Sequence, residues 1–342
     1  MEAIVESLNK GSTANKMKLP LSHITVVTTQ KCNLACKGCY VDTRVRSDLD
    51  LGMLKENILL PFVALGGKTI GFSGGEPLLY DGIFDAIRMA RQCNLYVSVV
   101  TNGVLLNYDT AKDLVESGVN SLQISLDSSD EAYNDSIRGK GNKKSVIQAI
   151  ENATRVGLSP CLVAVPNKSL LSSFESYVNE ARRLKVRSIY IRRTVMKYES
   201  STLGDEKAFN REFLFKIKEL NEKYPDICIN SGDPLFNLLR FERKENETIP
   251  MFSGCSAGIA SLAIWPNGIM TPCTRLFVPL GNIYLEGLEK MWLESDLLNK
   301  LRLRELKGAC EQCAFRYVCG GCRASSFVMS GDMFACDPMC IF

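Results

Sequence analysis

Apolar and polar positions alternate between two textures from about residue 22 to residue 230. Short β-rich runs fall at 24–28, 69–73, 96–101, 121–126, 161–165 and 188–191. They are rich in Val, Ile and Thr, the composition of strands buried on both faces. Between them, helical spacing spans 52–65, 81–93, 109–118, 143–156, 172–184 and 205–223, and Gly118 and Gly157 close two of these stretches. Six β–α units in succession predict parallel strands joined by right-handed crossovers, as a doubly wound sheet or as part of a β/α barrel. In either case functional side chains belong at the C-terminal ends of the strands.

After about residue 250 the periodicity fades, apart from one helix near 287–306. Such a segment is expected to take its stability from bound metal rather than from a large apolar core. Residues 231–254, with Asp233-Pro234 and Ile249-Pro250, read as a bridge. The expected division is an N-terminal extension (1–21), an α/β core (22–230), the bridge, and a cysteine-rich unit (255–342).

Composition narrows the function classes. No apolar run approaches the roughly 20 residues that cross a bilayer, and the first twenty residues lack the pattern of a secretory signal. A cytoplasmic protein without a membrane partner is expected. Net charge is +3, from 41 basic and 38 acidic side chains, which gives no reason to expect a nucleic-acid partner. The basic group Arg182, Arg183, Lys185 and Arg187 reads as the solvated end of a helix.

The cysteines change the picture. There are 14, against one histidine, His23. Disulfides are rare in a reducing compartment, so metal or redox chemistry is the better account. One histidine cannot supply most catalytic zinc sites or a nucleophile–histidine pair, and His23, just ahead of a strand, reads as structural. Directly after the first strand comes Cys32-x3-Cys36-x2-Cys39-Tyr40. Three thiolates leave a structural zinc one ligand short. They suit a [4Fe–4S] cube with one iron open to a small molecule.

With this loop the chain resembles the radical S-adenosylmethionine (SAM) superfamily, and further matches follow at later strand ends. Ser73-Gly74-Gly75-Glu76-Pro77 closes the second strand, Thr101-Asn102-Gly103 the third and Ser125-Leu126-Asp127 the fourth, with Arg138-Gly139 in the next loop. The resemblance implies a partial (β/α)6 TIM-like barrel followed by a small cysteine-rich iron–sulfur domain. It implies that Cys32, Cys36 and Cys39 hold the SAM-cleaving cluster. Tyr40, Gly74, Gly75, Glu76, Asn102, Ser125 and Arg138 would then bind SAM, with Glu76 accepting from its ammonium group. Asn102 and Asp127 can equally be turn or cap residues. The implied chemistry is one-electron cleavage of SAM to methionine and a 5′-deoxyadenosyl radical that abstracts hydrogen from substrate.

The second cysteine block is Cys255-x12-Gly268-x4-Cys273, Cys310-x2-Cys313-x5-Cys319-x2-Cys322 and Cys336-x3-Cys340. The central quartet taken alone could close on one zinc ion. In this company it resembles the SPASM extension, which binds two auxiliary [4Fe–4S] clusters, three in all. By that resemblance Cys310, Cys313, Cys319 and Cys340 bind a distal cluster, and Cys255, Cys273 and Cys322 a proximal one. The fourth proximal position is either Cys336 or open. The spacer Gly320-Gly321 is shorter by one residue than the usual pattern. Cys93 and Cys161 read as small buried apolar residues. Cys228 reads as a core residue or as a hydrogen-atom donor.

The resemblance implies an enzyme that crosslinks, epimerises or oxidises a ribosomal peptide or natural-product precursor, supplied with electrons by flavodoxin or ferredoxin. The first strand begins near residue 24, leaving no room ahead of it for a peptide-recognition module. The alternatives are tetrapyrrole side-chain removal, to which Cys319-Gly-Gly-Cys322-Arg323-Ala324 and the Asp-Pro-x-Cys ending are similar, and sugar or nucleoside oxidation.

Overall fold

Alternate side chains of the first strands divide between two unlike faces. In a computed structural model describing residues 19–197, 202–240 and 252–342, β1 (His23–Thr29), β2 (Thr69–Gly74), β3 (Tyr96–Thr101), β4 (Ser121–Ser125), β5 (Cys161–Ala164) and β6 (Ser188–Ile191) lie side by side in sequence order, all parallel. One face packs Ile24, Val26, Ile70, Phe72, Val97, Val99, Leu122 and Ile124 into the apolar core shared with the helices. Each fully buried side chain of this kind contributes about 1.5–3 kcal/mol.

The other face is polar, contrary to the expectation of strands apolar on both sides. Register sets Thr25 beside Gly71 and Gly71 beside Ser98, and farther round sets Gln123 beside Cys161 and Cys161 beside Ser188. These groups face the inside of a partial barrel and satisfy one another there. His23 Nε2 meets Thr25 Oγ1 at 3.2 Å, and Arg192 donates to Gln123 Oε1 at 3.3 Å. Burial, assisted by the charge of Arg192, lowers the His23 pKa to about 4. His23 is a neutral interior group.

Covering helices span 51–64, Ile83–Gln92, Tyr108–Ser117, Asn142–Arg155, Phe174–Arg183 and Leu203–Lys223, the first with a π-helical turn over Lys55–Leu59. Asp50 and Asn107 cap two of them with side-chain acceptors, and Gly118 ends one at φ 91°. Two helices beyond those expected, Glu131–Arg138 and Lys168–Ser172, open on the caps Asp130 and Asn167.

The C-terminal region departs furthest from expectation. β7 (Cys228–Ser231) adds to β6 in parallel, and Asp233, read as part of a bridge, caps the helix Pro234–Arg240 by accepting from Leu235 N at 2.9 Å. Residues 1–18 of the expected extension and 241–251 of the bridge lie outside the described residues. β8 (Ser261–Ile264) pairs in parallel with β1, and β9 (Ile269–Thr271) and β10 (Gly281–Asn282) follow antiparallel. The result is one ten-stranded sheet in the order β10-β9-β8-β1-β2-β3-β4-β5-β6-β7. Leu262, Ile264, Met270, Trp292, Leu298 and Leu301 enter the same apolar core as the barrel. The cysteine-rich segment is therefore anchored by burial as well as by whatever its thiols hold. The helix expected near 287–306 is two, Leu288–Glu294 and Asp296–Arg302, with Ser295 capping the second.

Candidate active site

The cysteine triplet hangs from the C-terminal end of β1 in a loop pinned at several points. Gln30 N donates to Ser47 O at 2.8 Å, Thr29 Oγ1 donates to Asp48, and Lys37 N donates to Ile137 O at 2.9 Å. The end of β2 closes directly onto this loop, with Gly75 N bonded to Thr29 O at 2.8 Å and Glu76 N to Lys31 O at 2.9 Å. A Cβ on Gly74 would overlap Thr29 O, and one on Gly75 would overlap Lys31 O and lie 3.0 Å from Cys32 Cβ. Only glycine lets the two strand ends approach this closely.

Glu76 does not point into the site as expected. Its side chain is fully buried: Oε1 accepts from Thr101 Oγ1 at 2.7 Å and Leu78 N at 3.1 Å, and Oε2 accepts from Asn102 N at 2.7 Å. Burial pushes its pKa up to about 7 against these donors. Glu76 is a strut tying the ends of β2 and β3 together. Asn102 does face the site, donating to Asn33 Oδ1 at 2.7 Å with Cys32 Sγ 3.8 Å away. Its Oδ1 also accepts from Val104 N at 2.9 Å, so it serves the turn as well.

Arg138 is fixed by Asp127, Nε to Oδ2 at 2.7 Å, while the other Asp127 oxygen accepts from Val165 N at 3.0 Å. The Arg138 carbonyl lies 4.0 Å from Cys36 Sγ. Burial raises the Cys36 thiol and the Arg138 guanidinium opposes it; burial also raises Cys32, against a bond from Leu34 N.

These residues line one cavity of about 720 Å³. Cys32, Cys36, Cys39, Tyr40, Gly74 and Gly75 form one side, and Val100, Asn102, Ser125, Arg138 and Val163 continue it around the strand ends. Arg192 and Arg193 after β6, with Arg275, Val328 and Met339 from the C-terminal region, complete the wall. Sequence reasoning passed over Arg192, Arg193 and Arg275; the Arg-Arg pair directly after a strand was the available signal. Arg193 is buried in a network across the chain, 2.6 Å from both Asp233 and Asp337. Asp337 in turn accepts from Cys322 N at 2.7 Å. Burial works against the charge on Arg193, and the two aspartates more than offset it, raising its pKa.

The C-terminal thiols fall into groups. Arg275 N donates to Cys273 Sγ at 3.4 Å, and Cys255 N bonds to Cys319 O at 3.1 Å. Cys310 faces Cys336, whose thiol also reaches Lys307 O at 3.2 Å. Cys336 therefore sits beside Cys310, one of the expected distal ligands. Cys313 is exposed, and Cys340 Sγ lies 3.5 Å from Phe342 O. Among the described residues no three His, Cys, Asp or Glu side chains converge on the point one ion would occupy, and the quartet 310, 313, 319, 322 does not gather as a zinc ribbon would. Eight thiols in this region are the number that two polynuclear iron–sulfur clusters would draw on. Buried guanidinium atoms with no acceptor among the described residues stand in this region, Nε and Nη1 of Arg304 and Nη2 of Arg323. That is the setting an anionic cluster fits.

The remaining thiols are placed apart from the cavity. Cys93 ends the helix Ile83–Gln92, and Cys161 is partly buried on the barrel's inner face. Cys228 opens β7, at the strand end opposite the cavity, and is exposed. That position removes it as a hydrogen donor to a substrate at the C-terminal strand ends.

Known proteins share this organisation. The radical SAM superfamily model matches residues 26–167, and an iron–sulfur cluster-binding domain model, SPASM, matches 255–314. The chain is 26% identical over 334 residues to an AdoMet-dependent heme synthase of Oleidesulfovibrio alaskensis, covering 92% of this chain and 85% of the relative. It is 25% identical over 329 residues to the mycofactocin maturase MftC of Mycolicibacterium smegmatis, covering 93% and 82%. Streptococcus suis SuiB bound to its precursor peptide SuiA has the same fold, with a TM-score of 0.76 at 19% identity, covering 99% of this chain and 79% of that one. The chain is an enzyme of the radical SAM superfamily that carries a C-terminal SPASM domain.

Proposed function

We propose that this enzyme reductively cleaves SAM at a [4Fe–4S] cluster held by Cys32, Cys36 and Cys39, and abstracts hydrogen from a ribosomal peptide or natural-product precursor. The observation that carries this reading is the meeting of the triplet loop, the Gly74-Gly75 backbone and the polar strand ends around one cavity, whose far wall the SPASM region supplies. The cluster supplies the electron that breaks the sulfonium C–S bond. Gly74 and Gly75 present bare backbone to SAM, Asn102 and Ser125 offer polar side-chain groups, and Asp127 holds Arg138 in place. Val100 and Val163 give the same space an apolar lining, and Tyr40 borders it. Cys255, Cys273, Cys310, Cys313, Cys319, Cys322, Cys336 and Cys340 hold two auxiliary clusters. The electrons come from flavodoxin or ferredoxin, and the reducing cytoplasm keeps the thiols available. No described helix is long and apolar enough to cross a membrane.

Peptide substrates are supported by MftC and by the fold shared with SuiB in its complex with SuiA. A second reading, decarboxylation of a carboxylate-bearing tetrapyrrole, is supported by the heme synthase relatives and by Arg192 and Arg275. These two cations line the cavity and bond to Gln123 and to the Arg193 carbonyl, with no carboxylate partner among the described residues. Anaerobic incubation with SAM and dithionite should release 5′-deoxyadenosine, and the Cys32, Cys36 and Cys39 triple alanine variant should release none. Continued release by that variant would overturn the reading. Mass spectrometry of the product separates the substrates: loss of hydrogen or a crosslink in a precursor peptide supports the first, and loss of CO2 from a porphyrin carboxylate the second.

A further inference from the structure

Arg304 is 1% exposed, in the midst of the C-terminal cysteines. Its Nη2 donates to the Cys255 carbonyl at 3.0 Å, while Nε and Nη1 find no acceptor among the described residues. A buried cation with idle donors is costly unless something of opposite charge lies against it. No carboxylate among the described residues does so, and the nearby Arg323 is a like charge that worsens the balance.

The chain nevertheless makes room for this side chain. Gly320 takes φ 63°, and a Cβ there would overlap Arg304 Cζ and Nη1. The neighbouring Gly321 does the same for Arg323, whose Nη2 would lie 2.6 Å from an added Cβ. The unusual Gly-Gly spacer between Cys319 and Cys322 is thus the floor beneath two buried guanidinium groups. Arg304 bonds to the backbone of Cys255 and lies against Gly320, the residue after Cys319, so the thiols carried by its immediate neighbours, anionic once metal is bound, are those of Cys255 and Cys319. Those thiols belong to different auxiliary sets, and Cys255 N bonds to Cys319 O at 3.1 Å where the sets meet.

We propose that Arg304 is the shared counter-cation of the two auxiliary clusters, offering its idle N–H groups to them and offsetting the negative charge that thiolate ligation leaves. The proposal rests on the three-cluster reading. A fixed positive charge stabilises the reduced, more negative state of a cluster, so Arg304 raises both midpoint potentials. It is a positioning and tuning residue, remote from the hydrogen abstraction itself.

The test is an anaerobic redox titration of the full-length reconstituted enzyme, followed by electron paramagnetic resonance, on wild type, Arg304→Met and Arg304→Lys. Wild type should hold about twelve irons per chain. Arg304→Met should move both auxiliary midpoints to more negative values and leave the SAM-cleaving cluster unmoved, with Arg304→Lys lying between. Full iron with unmoved auxiliary midpoints in Arg304→Met would overturn the assignment. If Arg304→Met loses iron, Arg304→Lys decides: recovered iron and near-normal midpoints support the charge role, and equal loss shows a packing role and overturns it. Wild-type iron near four would overturn the three-cluster reading, and this inference with it.

Discussion

Gly75 and Glu76 are adjacent in sequence and face opposite ways. Gly75 lets β2 press on the cysteine loop, so Gly75→Ala forces the Lys31–Cys32 backbone to move. Overpacking of this kind costs about 1–3 kcal/mol, and the expected result is a variant that folds but retains less iron in its SAM-cleaving cluster, read by iron content and by 5′-deoxyadenosine yield. Glu76 is buried behind that contact, with a pKa raised from 4.5 to about 7. A raised carboxyl pKa means that the folded state holds a proton the unfolded state has released. Its contribution is therefore full below about 4.5 and is lost as pH rises towards about 7, on the order of 3 kcal/mol in all. Urea unfolding of the apoprotein across that window should show this slope, and Glu76→Gln should flatten it. The Gly-Gly-Glu-Pro sequence announced a close backbone approach at a strand end. It could not tell that the acid turns inward, because that depends on donors from Thr101 and Asn102, 25 and 26 residues later.

The elements themselves were legible where they are long or strongly patterned. Six strands and their main helices follow from periodicity, whereas the eight-residue helix Glu131–Arg138 gives too few helical repeats to register, and β7 and β8 lie beyond the succession of six β–α units that marks the other strands. Missing β7 left Cys228 without a strand direction, and that direction places it at the far end from the cavity. Cys228→Ser should accordingly leave both 5′-deoxyadenosine release and substrate turnover unchanged, and a selective loss of turnover would reverse that conclusion. Arg193 joins elements no sequence pattern links: the end of β6, the cap of the helix Pro234–Arg240, and the C-terminal Asp337. Arg193→Met leaves two buried carboxylates unpaired, and breaking a buried pair from one side costs about 3–5 kcal/mol. The denaturation midpoint should fall accordingly. Adding Asp233→Asn and Asp337→Asn should recover part of the loss.

At the scale of the whole molecule, the radical SAM barrel and the SPASM region are one sheet and share one core. β8 covers the edge of β1, and Trp292 Nε1 bonds to Leu19 O at 2.9 Å from the opposite end of the chain. The cysteine spacing marked the C-terminal region as a separate unit, since metal ligands dominate its texture. Its apolar residues are scattered among turns and become a core only through contact with the barrel. A chain ending at residue 254 would expose β1 as a bare edge and lose Leu262, Ile264, Met270 and Trp292 from the core. Such a fragment should aggregate or run as an expanded species in size-exclusion chromatography.

The pairing of β1 with β8 also sets a timetable. Ser22 Oγ reaches Ala260 O across 238 residues of sequence, so the strand made first is completed nearly last. On the ribosome, chains emerge N-terminus first, and the loop carrying Cys32, Cys36 and Cys39 is made long before Arg275, Val328 and Met339 arrive to wall its cavity. Throughout that interval the triplet loop stands without the side chains that complete its cavity, which only the last part of the chain can supply.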